Sequence, residues 1–255
     1  MTEMPVKTAL VTGGARRIGG AISRDLAAHG WAVAVHFNTS GDDARALVGD
    51  ITRDGGRAVA VRADLTREDE TAGLLSQAAR EVGPVTCLVN NASVFEKDTP
   101  ETATKDTWDA HMQVNLRAPF VLTQAFTAGL PDDLEGNVIN MIDQRVWNLT
   151  PSFTSYTVSK AGLWALTRSL AMALAPRIRV NAIGPGPTLP SARQTDRDFI
   201  RQWSSLPLGR NVMPGEICDA VRFIIDAPAM TGQMIALDGG QHLGWRAGEE
   251  EVSRS

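Results

Sequence analysis

The chain has 255 residues, of which 43% are hydrophobic and 21% are charged, and its formal net charge is −4 at pH 7. This composition excludes a disordered chain, and the scattered basic residues argue against a protein that binds nucleic acid or a membrane surface. Two cysteines cannot form a disulfide framework, so we expect a cytoplasmic protein. We identify no secretion signal and no apolar run of membrane-spanning length. A single tyrosine among 14 aromatic residues is the one unusual count.

The spacing of apolar residues predicts strands and helices that alternate along the chain. The predicted strands are residues 8–11, 32–37, 58–61, 86–89, 137–141, 178–183 and 233–237. The predicted helices are residues 18–29, 42–53, 67–82, 105–130, 154–174 and 214–225. Strands that are apolar on both faces and alternate with helices indicate an α/β fold, with helices covering both faces of a parallel sheet.

No linker or change in composition interrupts this alternation, so we predict a single domain over residues 1–255. A proline-rich stretch over residues 184–209 is predicted to be irregular. It is too long for an ordinary connection, so we interpret residues 187–210 as a substrate loop. Residues 245–255 contain three consecutive glutamates and predict a solvent-exposed, frayed tail.

The first predicted strand runs directly into a glycine-rich turn, whose sequence is Thr12-Gly13-Gly14-Ala15-Arg16-Arg17-Ile18-Gly19-Gly20. Glycines at such a turn allow backbone N–H groups to approach a pyrophosphate at the N-terminus of the next helix. A glycine-rich turn without a ligand is the alternative. The position of the turn between the first strand and the first helix favours a dinucleotide site.

The second predicted strand ends without an acidic residue, in the sequence His36-Phe37-Asn38-Thr39-Ser40. An Asp or Glu at this place would bind the ribose 2′-OH of NAD and would repel a 2′-phosphate. Hydroxyl groups, an amide and the nearby Arg16 favour the phosphate instead. We therefore predict NADP(H) as the cofactor, the alternative being an ordinary polar loop.

Tyr156 and Lys160 are four residues apart at the start of a predicted helix and therefore share one face. A nearby ammonium favours the phenolate, so we expect Lys160 to lower the pKa of Tyr156 towards neutral pH. Tyr156 would then serve as a proton donor or acceptor. The alternative is an exposed pair on a solvated helical face.

The order and spacing of these motifs resemble the short-chain dehydrogenase/reductase family over residues 6–244. The motifs are the glycine turn, Asn90-Asn91-Ala92, Asn115, Tyr156-x-x-x-Lys160 and Pro185-Gly186. The resemblance implies a doubly wound (Rossmann) sheet of seven strands, hydride transfer with a nicotinamide cofactor, and a homotetramer. It implies that Asp64 and Leu65 contact the adenine, and that Asn115 holds a proton-relay water with Lys160, which also binds the nicotinamide ribose. The predicted cofactor-binding residues are Gly13, Arg16, Arg17, Ile18, Gly19, His36, Asn38, Thr39, Ser40, Asp64, Leu65, Asn91, Ala92, Ser93, Tyr156, Lys160, Pro185, Gly186 and Thr188.

Two positions depart from the usual pattern of this family. Arg17 stands where the glycine turn normally has glycine, and Asp143 stands 13 residues before Tyr156, where the family normally has a catalytic serine. Both replacements resemble the pteridine reductases and the bacterial dihydromonapterin reductases. In that branch a serine and a stacking phenylalanine contact the pterin, and Ser93 and Phe95 resemble them.

The charge of Asp143 indicates the type of bond that is reduced. An ionised carboxylate would raise the energy of the alkoxide that develops from a ketone, whereas a C=N bond needs a proton on nitrogen. We therefore predict that NADPH reduces a pterin-type C=N bond. The predicted catalytic residues are Asn115, Asp143, Tyr156 and Lys160. The predicted substrate-binding residues are Arg17, Ser93, Phe95, Asp143 and Tyr156.

Two other functions stay open at this point. A carbonyl or 3-oxoacyl reductase of the same family is disfavoured by Asp143, and a non-catalytic NADP-sensing regulator would be expected to lack Tyr156 or Lys160. Taken alone, Phe95 is more often a core residue than a stacking platform. The four histidines show no metal-ligand spacing, so we predict no metal site and a small molecule as the partner.

Overall fold

The structure is a computed structural model, and it describes residues 7–191 and 194–244. Within these residues seven parallel strands form one sheet in the order β3-β2-β1-β4-β5-β6-β7. The strands are β1 (Thr8–Val11), β2 (Ala32–Phe37), β3 (Arg57–Arg62), β4 (Cys87–Asn90), β5 (Gly136–Met141), β6 (Ile178–Pro185) and β7 (Met234–Leu237). The direction of winding reverses between β1 and β4, which opens a crevice at their carboxyl ends. The predicted doubly wound α/β sheet is confirmed.

Helices cover both faces of this sheet. They are α1 (Arg17–Ala28), α2 (Gly41–Arg53), α3 (Glu68–Val82), α4 (Lys105–Met112), α5 (Ala118–Gly129), α6 (Thr154–Leu174), α7 (Asp196–Ser204) and α8 (Pro214–Asp226). In β1, Ala9 and Val11 pack into one hydrophobic core with α1, α2 and α8, whereas Leu10 packs into a second core with α3 and α5. Successive side chains of a strand point to opposite faces, which explains why Ala9, Leu10 and Val11 are all apolar.

The segment predicted as one helix over residues 105–130 is divided into three parts. A π-helical turn, Gln113–Arg117, separates α4 from α5. Pro119 has no backbone N–H to donate to the carbonyl of Asn115, which interrupts the α-helical ladder at this place. Such π turns are frequent at functional sites, and this one contains Asn115.

The stretch predicted to be irregular over residues 184–209 contains ordered elements. The strand β6 extends to Pro185, and α7 begins after Thr195, whose hydroxyl accepts a hydrogen bond from the Asp198 N–H at 3.2 Å. No residue of α7 is buried, and its apolar residues Phe199, Ile200 and Trp203 form a face only about one turn long. The predicted tail, residues 245–255, lies outside the described residues. In the part of the chain that is described, no helix is long and apolar enough to cross a membrane.

Candidate active site

A cleft of about 570 Å³ lies where β1, β2, β3 and β4 end. This is the crevice at which doubly wound sheets bind ligands. The predicted site residues that line it are Gly13, Arg16, Arg17, Ile18, Gly19, His36, Asn38, Thr39, Ser40, Asp64, Leu65, Asn91, Ala92, Ser93, Phe95 and Tyr156. We call this space the cofactor cleft.

The glycine turn packs too closely for side chains at two positions. Gly13 has a φ of +59°, in the region that favours glycine, and a Cβ atom at Gly19 would lie 2.1 Å from the Gly13 carbonyl oxygen. The amide of Asn91 donates to the Thr12 carbonyl at 2.8 Å and to the Gly13 carbonyl at 3.2 Å. The end of β4 therefore holds the turn that follows β1.

His36 supports the turn from the opposite side. Its Nδ1 accepts a hydrogen bond from the Gly13 N–H at 3.0 Å, which leaves Nε2 to donate to the Ala63 carbonyl at 3.0 Å. This arrangement requires the neutral ring, and burial lowers the pKa of His36 to about 4. His36 was predicted to contact the cofactor, and it forms part of the wall as a buried support of the turn.

The walls of the cleft near the end of β2 suit a phosphate. Among the residues that line the cofactor cleft the one acid is Asp64, and its Oδ1 accepts from the Thr66 N–H at 2.9 Å and the Thr66 hydroxyl at 2.7 Å. Arg16 is largely exposed and forms a long ion pair of 3.6 Å with Asp43. Exposed pairs of this kind are weak, so the Arg16 guanidinium is available to an anion. The residues present thus fit a dinucleotide with a 2′-phosphate.

A second cavity of about 190 Å³ adjoins the cofactor cleft, and we call it the inner cavity. Arg17, Ile18, Phe95 and Tyr156 line both spaces, whereas Asp143 lines the inner cavity. Pro185, Gly186 and Thr188 were predicted to bind the cofactor, and they line the inner cavity rather than the cofactor cleft. The two spaces therefore meet at the single tyrosine of the chain.

Arg17 connects the glycine turn to the substrate loop. Its φ of +52° lies in the left-handed region, which a residue with a side chain adopts at a cost. Its guanidinium donates to the carbonyl of Leu189 at 3.3 Å and to that of Pro190 at 2.9 Å. Arg17 is thus placed to contact ligands in both spaces.

Tyr156 and Asp143 form a direct pair, in which the phenol donates to Asp143 Oδ2 at 3.0 Å. Burial raises the pKa of Tyr156 well above its ordinary value, and the charge of Asp143 and this hydrogen bond raise it further. The charge of Arg145 acts in the opposite direction. Tyr156 is therefore a neutral phenol with a proton to give.

Lys160 does not lower the pKa of Tyr156, which corrects the expectation from the sequence. Its ammonium donates to the Met141 carbonyl at 2.8 Å and lies 5.7 Å from the centroid of the Tyr156 ring. Burial lowers the pKa of Lys160 to about 8, with the charge of Asp143 opposing the shift. Lys160 lines neither the cofactor cleft nor the inner cavity.

Asn115 is fully buried and acts on the segment that follows β4. Its Oδ1 accepts from the Val94 N–H at 2.8 Å and from the Ser93 hydroxyl at 3.2 Å. Its amide donates to the Val94 carbonyl at 3.0 Å and to the Ser159 hydroxyl at 3.1 Å. Asn115 thus holds the segment that carries Ser93 and Phe95 against α6, and its side chain does not line either space.

Phe153 and Arg145 were not identified from the sequence. The Phe95 ring stacks on Phe153 with centroids 4.6 Å apart, and it meets the Tyr156 ring edge-on at 4.7 Å. The Arg145 guanidinium lies 4.7 Å from the centroid of Phe153. One face of Phe95, the predicted stacking platform, is therefore already covered. Phe153 has a φ of +63°, and no sequence signal predicts this conformation.

A buried hydrogen-bonded network behind Tyr156 was also missed. The ring of His111 accepts from the Glu96 N–H at 3.1 Å, so its Nδ1 donates to the Ser155 hydroxyl at 2.7 Å, and that hydroxyl donates to the Asp98 carboxylate. The network fixes residues 96–98 to the start of α6. Over residues 7–191 and 194–244, no group of three His, Cys, Asp or Glu side chains is arranged to hold a metal ion.

Residues 7–200 match the family described as short chain dehydrogenase. The chain belongs to this family. A solved structure of FolM alternative dihydrofolate reductase 1 from Brucella canis, complexed with NADP, is 52% identical with a TM-score of 0.92, covering 95% of this chain and 96% of that one. A 3-oxoacyl-[acyl-carrier-protein] reductase from Synechocystis is 33% identical over 245 residues, 94% of this chain and 98% of its own length.

An uncharacterised oxidoreductase from Methylorubrum extorquens is 34% identical over 251 residues, which are 94% of this chain and 99% of that protein. The protein is thus an oxidoreductase of the short-chain dehydrogenase/reductase type, as predicted. The similarity to an alternative dihydrofolate reductase supports the predicted resemblance to the pteridine reductase branch.

Proposed function

We propose that the protein is an NADPH-dependent reductase of a pterin-type C=N bond. The observation that carries this proposal is the 3.0 Å hydrogen bond between the Tyr156 phenol and Asp143, at the junction of the cofactor cleft and the inner cavity. A flat heterocycle in the inner cavity would place its reacting bond beside this pair and beside the nicotinamide.

The cofactor cleft supports NADP as the dinucleotide. The relative from Brucella canis was crystallised with NADP, and this chain has no free carboxylate at the end of β2. The N–H groups of the glycine turn would hold the pyrophosphate, while Arg16, Thr39 and Ser40 would hold the 2′-phosphate. NADPH supplies the hydride when it is bound.

Charge decides what the pair of Tyr156 and Asp143 does to a substrate. A C=N nitrogen becomes cationic when it takes a proton, and the carboxylate of Asp143 stabilises that cation. The neutral phenol of Tyr156 is the proton source, and the charge of Arg145 favours the phenolate that it leaves. Hydride on carbon and a proton on nitrogen complete the reduction to CH–NH.

A 3-oxoacyl reductase is the second candidate, because relatives with that activity cover nearly the whole chain. Reduction of a ketone builds negative charge on oxygen, and Asp143 would oppose that charge. The same residue therefore separates the two candidates.

The test follows NADPH oxidation with dihydrobiopterin, dihydromonapterin, dihydrofolate, a simple ketone and a 3-oxoacyl thioester in parallel assays. We expect turnover of at least one dihydropterin and a much lower kcat/KM for both carbonyl compounds. Turnover of the carbonyl compounds alone would refute the proposal. Tight NADPH binding without any turnover would indicate a regulator.

We further propose that the enzyme is a cytoplasmic homotetramer. The side chain of Met172 on α6 is 79% exposed and that of Val158 is 44% exposed, and both are large apolar groups that association would bury. Cys87 and Cys218 are buried free thiols, as expected in a reducing compartment. Light scattering of the purified protein tests the tetramer, and Met172→Glu is expected to weaken it.

A further inference from the structure

A third cavity of about 840 Å³ lies beyond Phe95, and we call it the outer cavity. Its walls come from the segment after β4, the loop before α6, and α7. Phe95, Arg145 and Gln202 line both the inner and the outer cavity, so the two spaces share a wall. A substituent on a ring that is bound beside Tyr156 therefore has room to extend from the inner cavity into the outer cavity.

Basic side chains dominate the outer cavity. Lys97, Arg145 and Arg201 line it, together with the acids Glu96 and Asp198. The Asp198 carboxylate is already engaged within α7 and its cap, since it accepts from Arg201 at 2.9 Å and from the Thr195 hydroxyl at 2.7 Å. Arg201 and Asp198 thus neutralise each other, and Lys97 and Arg145 outweigh Glu96 by one positive charge, which attracts an anion.

Arg145 has N–H groups whose capacity to donate hydrogen bonds is not used by the described residues. Its Nε and Nη1 atoms are buried and have no hydrogen-bond partner among the described residues. Its guanidinium lies over the Phe153 ring, 4.7 Å from the ring centroid. The same group lies 6.0 Å from the centroid of the Phe95 ring. A buried N–H without a partner costs free energy, and rotation of the guanidinium towards the outer cavity would bring these N–H groups to a ligand oxygen that recovers it. A guanidinium binds a carboxylate or a phosphate with two parallel hydrogen bonds.

We propose that the outer cavity is a subsite for an anionic substituent of the pterin ring, with Arg145 as its specificity-determining residue. This inference rests on the proposed function. The acidic group of the substituent, a carboxylate or a phosphate, pairs with Arg145 on the shared wall, and Lys97 adds positive charge beside it. The exposed edge of Phe95 contacts the part of the substituent nearest the ring.

The first experiment compares substrates that differ in the charge of the substituent. The kcat/KM values of dihydrofolate (a carboxylate), dihydroneopterin monophosphate (a phosphate) and dihydrobiopterin (neutral) are measured for the wild type, Arg145→Met, Arg145→Lys and Lys97→Met. We expect Arg145→Met to reduce the preference for at least one anionic substrate over dihydrobiopterin by about 10-fold, mainly through KM. Arg145→Lys should restore part of this preference. The anionic substrate whose preference over dihydrobiopterin falls in Arg145→Met shows whether the subsite binds a carboxylate or a phosphate.

Lys97 is exposed, so Lys97→Met tests the same subsite without altering a buried wall, and it should show a smaller loss in the same direction. Arg57→Met removes an exposed charge at the start of β3, at the opposite end of the sheet, and should leave all three kcat/KM values unchanged. Equal losses for neutral and anionic substrates in Arg145→Met would overturn the subsite.

The second experiment does not depend on turnover. Binding of p-aminobenzoylglutamate and of phenyl phosphate to the NADPH complex is titrated by NMR for the wild type and Arg145→Met. At least one fragment should bind the wild type and lose about 10-fold or more in affinity in the variant. Equal binding of both fragments to the two proteins overturns the subsite. Absence of pterin turnover with Arg145-dependent fragment binding overturns only the proposed reaction.

Discussion

The cofactor cleft and the two cavities beside it are built in different ways. In the cleft, His36 binds backbone groups with both ring nitrogens and the Asn91 amide donates to two backbone carbonyls, and the turn they hold follows a strand directly. In the cavities, Phe153 adopts a left-handed backbone conformation and Arg145 leaves buried N–H groups without partners. The two left-handed residues with side chains among those described, Arg17 and Phe153, and the unpartnered Arg145 thus all line the inner or outer cavity, where a ligand is expected to complete the site.

This difference assigns the two tasks of the enzyme to two regions. The cleft is organised by its own hydrogen bonds before any ligand binds, which suits a cofactor shared by many relatives. The inner and outer cavities depend on Arg17, Arg145 and α7, which belong to loops and short elements. We therefore expect substitutions in the cavities to change substrate choice and substitutions in the cleft to change cofactor binding or stability.

Removal of the phenol should have the largest effect. Tyr156→Phe keeps the edge contact with Phe95 and deletes the proton donor, so we expect kcat to fall about 1,000-fold. The dissociation constant of NADPH should stay within about twofold, because the pyrophosphate and 2′-phosphate contacts lie elsewhere in the cleft. Steady-state kinetics and fluorescence titration measure both quantities. Retained activity would refute the role of Tyr156, since the chain has no second tyrosine to replace it.

The support of the glycine turn by His36 should make stability depend on pH. The folded pKa of His36 is about 4 and its unfolded value is 6.5, so the unfolded chain binds more protons between these pH values. The free energy of unfolding should therefore decrease as the pH falls from 6.5 to 4, by about 3 kcal/mol in total from this residue. Denaturant unfolding at several pH values measures the slope.

His36→Gln offers an acceptor and a donor that do not titrate, and it should flatten this slope. Ser76→Ala, at an exposed position of α3 and without a titratable group, is the control and should leave the slope as it is. An unchanged slope in His36→Gln would contradict the tautomer assigned to His36.

The absence of an acid at the end of β2 should control the choice of cofactor. Asn38→Asp places a carboxylate in the cleft wall, and repulsion of the 2′-phosphate should shift the ratio of NADPH to NADH affinity towards NADH by about 30-fold. Ser76→Asp on the exposed face of α3 adds the same charge away from the cleft and should have no effect. The two dissociation constants are measured by titration, and an unchanged ratio in Asn38→Asp would remove the electrostatic argument for NADP.

The regular parts of the molecule were predictable because buried strands and amphipathic helices carry periodic apolar patterns. The alternation of strands and helices and the glycine turn follow from such patterns, whereas the seven-stranded sheet and the joint place of Tyr156 and Asp143 in the site were expected from the family resemblance. The helix α7 was missed because its short apolar face lies within a proline-rich stretch, and the division of the 105–130 helix was missed although Pro119 marks it.

The contacts between side chains distant in the sequence were not predictable. The network of His111, Ser155 and Asp98 joins segments more than 40 residues apart, and no local pattern connects them. The effect of Lys160 on Tyr156 was predicted from helical spacing alone. Burial and the charge of Asp143 decide the pKa of Tyr156 instead, and both depend on the folded environment.

Substitution of Asp143 is expected to have the smallest effect, and it separates reduction of a pterin from reduction of a ketone. Asp143→Ser restores the residue that is usual for the family. Asp143→Asn removes the negative charge but keeps the shape of the side chain and an oxygen that accepts from the backbone N–H of Arg145. If the carboxylate stabilises a protonated C=N bond, both variants should lower the ratio of pterin to ketone kcat/KM by about 10-fold. If Asp143 only orients Tyr156, Asp143→Asn should retain the wild-type ratio, because its amide N–H can donate to the phenol oxygen and still hold the ring in place. An unchanged ratio in both variants would leave the charge of Asp143 without a role in substrate choice and would place specificity in the inner and outer cavities alone.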